Sequence, residues 1–144
     1  MSSAIDVAVI GVGLVGSAVL KQLATVPSLS VLKVLALQNS RKTLLAAPGQ
    51  HLALDHWQAQ LETSSSPALS LEQLVSELQE IQAKNRRHIA VVDNTSNDTV
   101  AGFYPSFLRA GFSVVTPNKK AFSGSVDLFS AMEEAKENDA RPLV

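Results

Sequence analysis

The 144-residue sequence contains no cysteine. That excludes disulfide bonds, thiolate metal sites and a cysteine nucleophile within it, and it fits a reducing, cytoplasmic setting. An excess of charge of either sign is missing too. Twelve basic and 13 acidic residues leave a formal net charge of −1, which is no electrostatic footprint for nucleic acid or for an acidic membrane surface. No apolar run approaches the roughly 18 residues of a spanning helix. Met1-Ser2-Ser3-Ala4 puts no basic segment ahead of an apolar one, so no signal peptide is expected. His51, His56 and His88 are not spaced as metal ligands and read as surface or loop residues. No internal repeat and no internal domain boundary is visible. What is present is 46% hydrophobic and 17% charged, an ordinary globular composition in a chain long enough for one domain with a real core.

The most informative stretch is Gly11-Val12-Gly13-Leu14-Val15-Gly16. Ile5-Asp6-Val7-Ala8-Val9-Ile10 before it is short and β-branched, and Ser17–Ala24 after it has apolar residues at helical spacing. Strand, glycine turn and helix form the context in which G-x-G-x-x-G marks a dinucleotide site. Gly11 permits the tight turn, Gly13 lets the backbone approach a pyrophosphate, and Gly16 lets the helix pack on the strand. The N–H groups and dipole of the helix start favour phosphate. The first helix is expected over about 14–26 and a second, nearly all-apolar strand over 31–37, completing a right-handed βαβ unit. Leu44–Ala47 read as a short helix stopped by Pro48, and Trp57 as a packing residue. Ser70 with Gln73 matches a capping box, opening a helix whose Leu71, Leu74, Val75, Leu78 and Ile81 fall on one stripe. A strand over 88–93, a helix over 98–110 interrupted at Pro105, a strand over 112–115 and a last helix capped by Ser125 follow. The fold class expected is α/β, a Rossmann-type doubly wound parallel sheet spanning residues 1–144.

Ligands of such sheets bind beyond the carboxyl ends of the strands, and three polar clusters stand there. After the second strand come Gln38-Asn39-Ser40-Arg41-Lys42, with no carboxylate to accept the ribose hydroxyls of NAD. Arg41 and Lys42 would attract a 2′-phosphate, and Asn39 and Ser40 can donate hydrogen bonds, which favours NADP or use of both cofactors. The alternative is that Arg41 and Lys42 are a solvated helix start. After the next strand come Asp93-Asn94-Thr95-Ser96-Asn97-Asp98. Thr95 and Ser96 suit contacts to the ribose and nicotinamide side, and the cluster also suits capping of the helix that follows. The third cluster is Thr116-Pro117-Asn118-Lys119-Lys120-Ala121-Phe122, where a lysine could bind phosphate, polarise a carbonyl or move a proton. Arg141-Pro142-Leu143-Val144 read as the opening of a further strand, so a fragment or truncated product is expected.

Together, Val9–Gly16, Val92–Ser96 and Val115–Phe122 make the chain resemble the amino-terminal nucleotide-binding domain of homoserine dehydrogenase, of the fungal and related bacterial kind. The resemblance implies an oxidoreductase that interconverts L-homoserine and L-aspartate 4-semialdehyde with NAD or NADP, on the route to threonine, methionine and isoleucine. It implies cofactor contacts from Val12, Gly13, Leu14 and Val15, with Thr95 and Ser96 near the ribose and nicotinamide. It gives Lys119 a place at the nicotinamide and substrate, with Lys120 the weaker candidate. Relatives often carry a lysine after the tryptophan of the third segment. Here Gln58 stands there, leaving more of the phosphate charge to Arg41. The family's catalytic and dimerisation domain, with its second lysine, carboxylates and monovalent cation site, would follow Val144, so this stretch alone is expected to bind cofactor and not to turn over homoserine. Two other readings remain open on the residues: a dinucleotide-binding module without catalysis, and the first domain of another NAD(P)-dependent dehydrogenase, such as an aspartate-semialdehyde type.

Overall fold

A computed structural model describes residues 5–27, 31–47 and 49–116. The centre of the molecule is β1 (Ile5–Ile10). Its side chains alternate between two cores. Val7 and Val9 join Leu20, Val34, Leu37 and Leu61 on one side of the sheet. Ala8 and Ile10 join Leu35, Leu74, Leu78, Val91 and Phe107 on the other. A strand sandwiched in this way is apolar on both faces, which is why residues 7–10 carry no period-two pattern; Asp6, buried near the amino end, is the polar exception and is bonded to His51 and Arg87.

The chain then runs through α1 (Leu14–Thr25), β2 (Leu32–Gln38), β3 (Thr43–Leu45), α2 (Trp57–Glu62), α3 (Leu71–Asn85), β4 (Ile89–Asp93), α4 (Asp98–Gly102), α5 (Tyr104–Arg109) and β5 (Ser113–Val115). The strands lie side by side in the order β3-β2-β1-β4-β5. β1 pairs in parallel with β2 and β4, and β4 in parallel with β5. Leu20 of α1 and Leu61 of α2 pack on the Val7–Val9 face, and α3, α4 and α5 supply Leu78, Val100 and Phe107 to the other. The sheet therefore grows from β1 in both directions, and the carboxyl ends of β1 and β4 diverge at the point of reversal.

Two elements form as their local chemistry dictates. At the start of α3, Ser70 Oγ accepts from the Gln73 N–H (3.1 Å) and Gln73 Oε1 accepts from the Ser70 N–H (3.0 Å), a reciprocal capping box. Pro105 lies in the first turn of α5, where its missing N–H costs nothing. The expected 98–110 helix is thus two short ones that restart around Phe103.

Two expectations differ from the structure. Residues 44–47 are not helical: β3 runs antiparallel to β2, pairing Gln38 with Thr43 and Ala36 with Leu45. The helix-compatible Leu-Leu-Ala-Ala stretch is overridden by a turn. Asn39 Oδ1 accepts from the N–H groups of Arg41 (2.8 Å) and Lys42 (2.7 Å), reversing the chain onto the open edge of β2. The sheet is therefore mostly, not wholly, parallel. β2 also ends one residue later than expected, so Gln38 belongs to the strand and is buried. The expected helix after Ser125 and the strand opening at Arg141 lie outside the described residues.

Leu78 is fully buried between α3 and the sheet. Leu78→Ala should lower stability by about 2–5 kcal/mol in a denaturant titration, whereas Ser70→Ala, which removes only the cap, should cost about 1 kcal/mol.

Candidate functional site

The glycine turn sits at the carboxyl end of β1, and each of its glycines meets a different physical demand. Gly11 has φ +89°, a left-handed conformation that side chains avoid. A Cβ there would also lie 2.8 Å from Thr95 Cγ2 and 3.1 Å from the Thr95 nitrogen. Gly16 is pressed onto the turn itself: a Cβ would fall 2.1 Å from the Gly11 carbonyl oxygen. Gly13, the residue preceding α1, has φ −74° and ψ −145°, and among the described residues nothing lies within 4 Å of a would-be Cβ. No contact among the described residues therefore requires glycine at 13. Among them the space in front of it is open, and a side chain there would stand in the way of a group brought in from outside.

The start of α1 points into the same opening. No side chain caps it, so the N–H groups of its first turn have no intrahelical acceptor. Leu14 is 91% exposed and Val15 51%, an apolar rim beside unsatisfied donors, while Val12 packs its side chain against the α1-side core. The donors and dipole suit a phosphate, and the apolar rim suits the flat face of a ligand laid across the turn.

A groove of about 500 Å³ extends from Gly11 toward β2 and α3. Gln38, Asn39 and Ser40 line one wall, Ala68–Glu72 another, and Thr95, Asn97 and Phe103 a third. The wall at 68–72 has little signature in the sequence beyond its capping box, which marks a helix start at the ligand-binding end of the sheet. At the end of β2, Gln38 is already engaged: its Oε1 accepts from Thr43 Oγ1 (2.6 Å) and its Nε2 donates to the Leu69 carbonyl (3.1 Å). Asn39 Oδ1 is held in the turn. Lys42 Nζ donates to the Ser64 carbonyl at 2.8 Å. Arg41 is exposed, and it starts no helix, since the chain turns into β3. Trp57 packs against the α1-side core and Gln58 is exposed on α2.

The β4 end is held from beneath. Asp93 is fully buried, and its Oδ1 accepts from the Thr95 N–H (2.8 Å) and Thr95 Oγ1 (2.6 Å). Thr95 Oγ1 accepts in turn from the Asn97 N–H (3.2 Å). Asn97 Oδ1 accepts from the N–H groups of Thr99 and Val100 and caps α4. The capping reading of this cluster holds at Asn97. Asn97 does the capping, Thr95 lines the groove with its hydroxyl hydrogen committed to Asp93, and Ser96 is exposed.

Gly11, Gly13, Gly16, Asn39 and Thr95 are therefore gathered at one end of the sheet. Lys119 and Lys120 lie outside the described residues. Among the described residues no cluster of three His, Asp or Glu could hold a metal ion, and His51 lies with Arg87 around Asp6 at the opposite end of β1. No helix among them is long and apolar enough to cross a membrane.

Comparison with known proteins agrees with this geometry. A family model described as "Homoserine dehydrogenase, NAD binding domain" matches residues 11–144. Homoserine dehydrogenase of Saccharomyces cerevisiae is 36% identical over 129 residues, covering 89% of this chain and 35% of the yeast protein. That of Emericella nidulans is 39% identical over 146 residues, covering 94% and 38%. The chain thus spans little more than a third of the length of these relatives. Among solved structures, homoserine dehydrogenase of Thermoplasma acidophilum superimposes with a TM-score of 0.70 at 19% identity, over 95% of this chain and 41% of that one. A hyperthermophilic archaeal homoserine dehydrogenase in complex with NADPH gives 0.63 at 20% identity, over 92% and 42%.

The glycine geometry separates two variants of one motif. Gly13→Ala should fold with unchanged stability and lose dinucleotide binding in a fluorescence titration. Gly16→Ala, whose methyl meets a backbone oxygen, should lower the melting temperature before binding is considered.

Proposed function

The chain belongs to the homoserine dehydrogenase family as its NAD-binding domain, and from that premise we propose that it is the cofactor half of a cytoplasmic, homodimeric enzyme interconverting L-homoserine and L-aspartate 4-semialdehyde. The observation that carries this reading is Gly13: a glycine before an uncapped helix, where no contact among the described residues requires glycine.

In this reading the pyrophosphate lies across Val12–Val15, bound by the first-turn N–H groups of α1. The adenosine half occupies the groove between Gln38–Ser40 and Ala68–Glu72. The nicotinamide half lies over the ends of β4 and β5, near Thr95 and Ser96. When bound, the nicotinamide supplies or accepts the hydride at C4, and the protein positions it. Lys119 is proposed as the residue at the reacting oxygen of the substrate, where an ammonium can polarise a carbonyl or exchange a proton with an alcohol. The remaining substrate groups are assigned to the portion of the homologous enzymes that this chain does not span, in keeping with residues 1–144 acting as a cofactor-binding unit.

We favour NADP. The residue at the end of β2, where a carboxylate would mark an NAD site, is a glutamine buried and bonded on both sides of its amide. Of the nearby cations Lys42 is tied to Ser64, and Arg41 remains exposed beside Ser40 on the groove wall. Glu72 also lines the groove, so the preference rests on one guanidinium. Arg41→Ala should weaken NADPH by about 3- to 10-fold, the scale of a charge-assisted hydrogen bond partly open to water, and leave NADH within about 2-fold. Equal loss for both dinucleotides, read by fluorescence titration, would remove the 2′-phosphate from Arg41. In an enzyme carrying this domain, Lys119→Ala should lower kcat with little change in the Kd for NADPH. An unchanged kcat would remove Lys119 from the chemistry.

A further inference from the structure

The crevice is built from the ends of three strands, and two of those ends share one buried carboxylate. Asp93, the last residue of β4, is fully buried. Its Oδ1 takes the Thr95 N–H and hydroxyl, as described above. Its Oδ2 accepts from the hydroxyl of Tyr104, a residue of α5 that is also fully buried. The Tyr104 oxygen lies 3.0 Å from Thr116 Oγ1, one residue beyond β5. A phenol has one hydrogen. With that hydrogen on Asp93, Tyr104 meets Thr116 through its oxygen lone pair. Thr116 in turn lines a second cavity, of about 570 Å³, together with Val15 of the glycine turn and Asn94.

The Tyr104 hydroxyl and the Asp93 carboxylate add no apolar contact to the core around them. Phe107, Leu108 and Phe112 fill the same layer without polar atoms, and a phenylalanine at 104 would pack as the tyrosine ring does. Burying a carboxylate and a phenol there costs desolvation, which is offset only when every partner is in place. What the relay does accomplish is geometric. Oδ1 holds the Asn94–Thr95 peptide against Gly11, where the carbonyl carbon of Asn94 and the nitrogen of Thr95 lie 3.2 and 3.1 Å from the position of a Gly11 Cβ. Oδ2 holds the β5 end through Tyr104. In a sheet that reverses between β1 and β4, the ends of β4 and β5 belong to the second mononucleotide half.

We infer that Asp93 and Tyr104 are positioning residues for the nicotinamide half of the cofactor: through one carboxylate they lock Thr116 at the end of β5 to the Thr95 loop and the glycine turn. The inference rests on the cofactor reading above. Tyr104 meets the β5 end directly, at Thr116, and the Thr95 loop through Asp93, so its hydroxyl matters more to a ligand that carries nicotinamide than to one that ends at the pyrophosphate ribose.

The test compares NADPH, titrated by fluorescence, with 2′-phospho-ADP-ribose, which lacks nicotinamide, as its competitor on the same 144-residue chain. Tyr104→Phe should raise the Kd for NADPH by about 3- to 10-fold and leave 2′-phospho-ADP-ribose within about 2-fold, the range of one lost hydrogen bond. Thr116→Val should reproduce that selective loss and Thr116→Ser should restore binding, which keeps the relay testable should Tyr104→Phe fail to fold. Asp93→Asn, which disturbs both branches, should weaken both ligands. Equal shifts for the two ligands in Tyr104→Phe and Thr116→Val, or none in either, would overturn the positioning role while leaving the dinucleotide site intact. If the unsubstituted chain binds neither probe, the cofactor reading itself falls, and the relay with it.

Discussion

The structure depends on one close approach: α1 lies so near the end of β1 that the Gly16 Cα faces the Gly11 carbonyl with no room for a methyl group. Ridge-and-groove packing of ordinary side chains would hold a helix further off. Gly16 allows the helix start to sit over the turn, so that its free N–H groups open into the space in front of Gly13. Leu20, four residues along, is then fully buried among Val7, Val9, Val34 and Leu37, which seats the helix on the sheet at that distance. The same contact thus packs the helix on the sheet and sets its uncapped start over the turn, the arrangement that suits an anion.

The second constraint is the reversal of strand order. β2 and β4 flank β1 on opposite sides, and α1 and α3 cover opposite faces of the sheet. No connection can bridge the gap at the carboxyl ends of β1 and β4, so a crevice forms there without being excavated by any particular side chain. The backbone defines its walls: Gly11 N–H donates to the Gln38 carbonyl and Asn94 N–H to the Ile10 carbonyl, both at 2.9 Å, extending the ladders one step past the strands. Polar side chains then stiffen these walls. Asn39 folds the turn after β2, Asp93 the loop after β4, and Asn97 the start of α4.

Much of this was legible in the residues. G-x-G-x-x-G between a β-branched run and an amphipathic one carries its own structural context, because glycine tolerance, strand propensity and helical spacing are local properties. The capping box at Ser70 and the restart at Pro105 are local too. Leu44–Ala47 went the other way. Their helical propensity is a weak bias, and the open edge of β2 offered hydrogen bonds that a four-residue helix could not match. Gln38 shows a similar limit. Its place in the polar stretch after β2 does not reveal its partners: Thr43 and Leu69, brought in by β3 and the approach to α3, engage its amide on both sides.

The α/β class, the glycine turn and the family resemblance could all be read before folding is considered, since each is encoded in residues close together along the chain. Only the tertiary structure decided which polar groups face the crevice. It tied Lys42 to Ser64 and left Arg41 exposed, put Glu72 among the groove's lining residues, and joined Asp93, Tyr104 and Thr116 into one relay. A side chain's hydrogen-bonding partners depend on which strands become neighbours, and residues 93, 104 and 116 come together only once β4, α5 and β5 have packed. Spacing along the chain sets what each residue can do, and the neighbours it meets in the fold set what it is free to do.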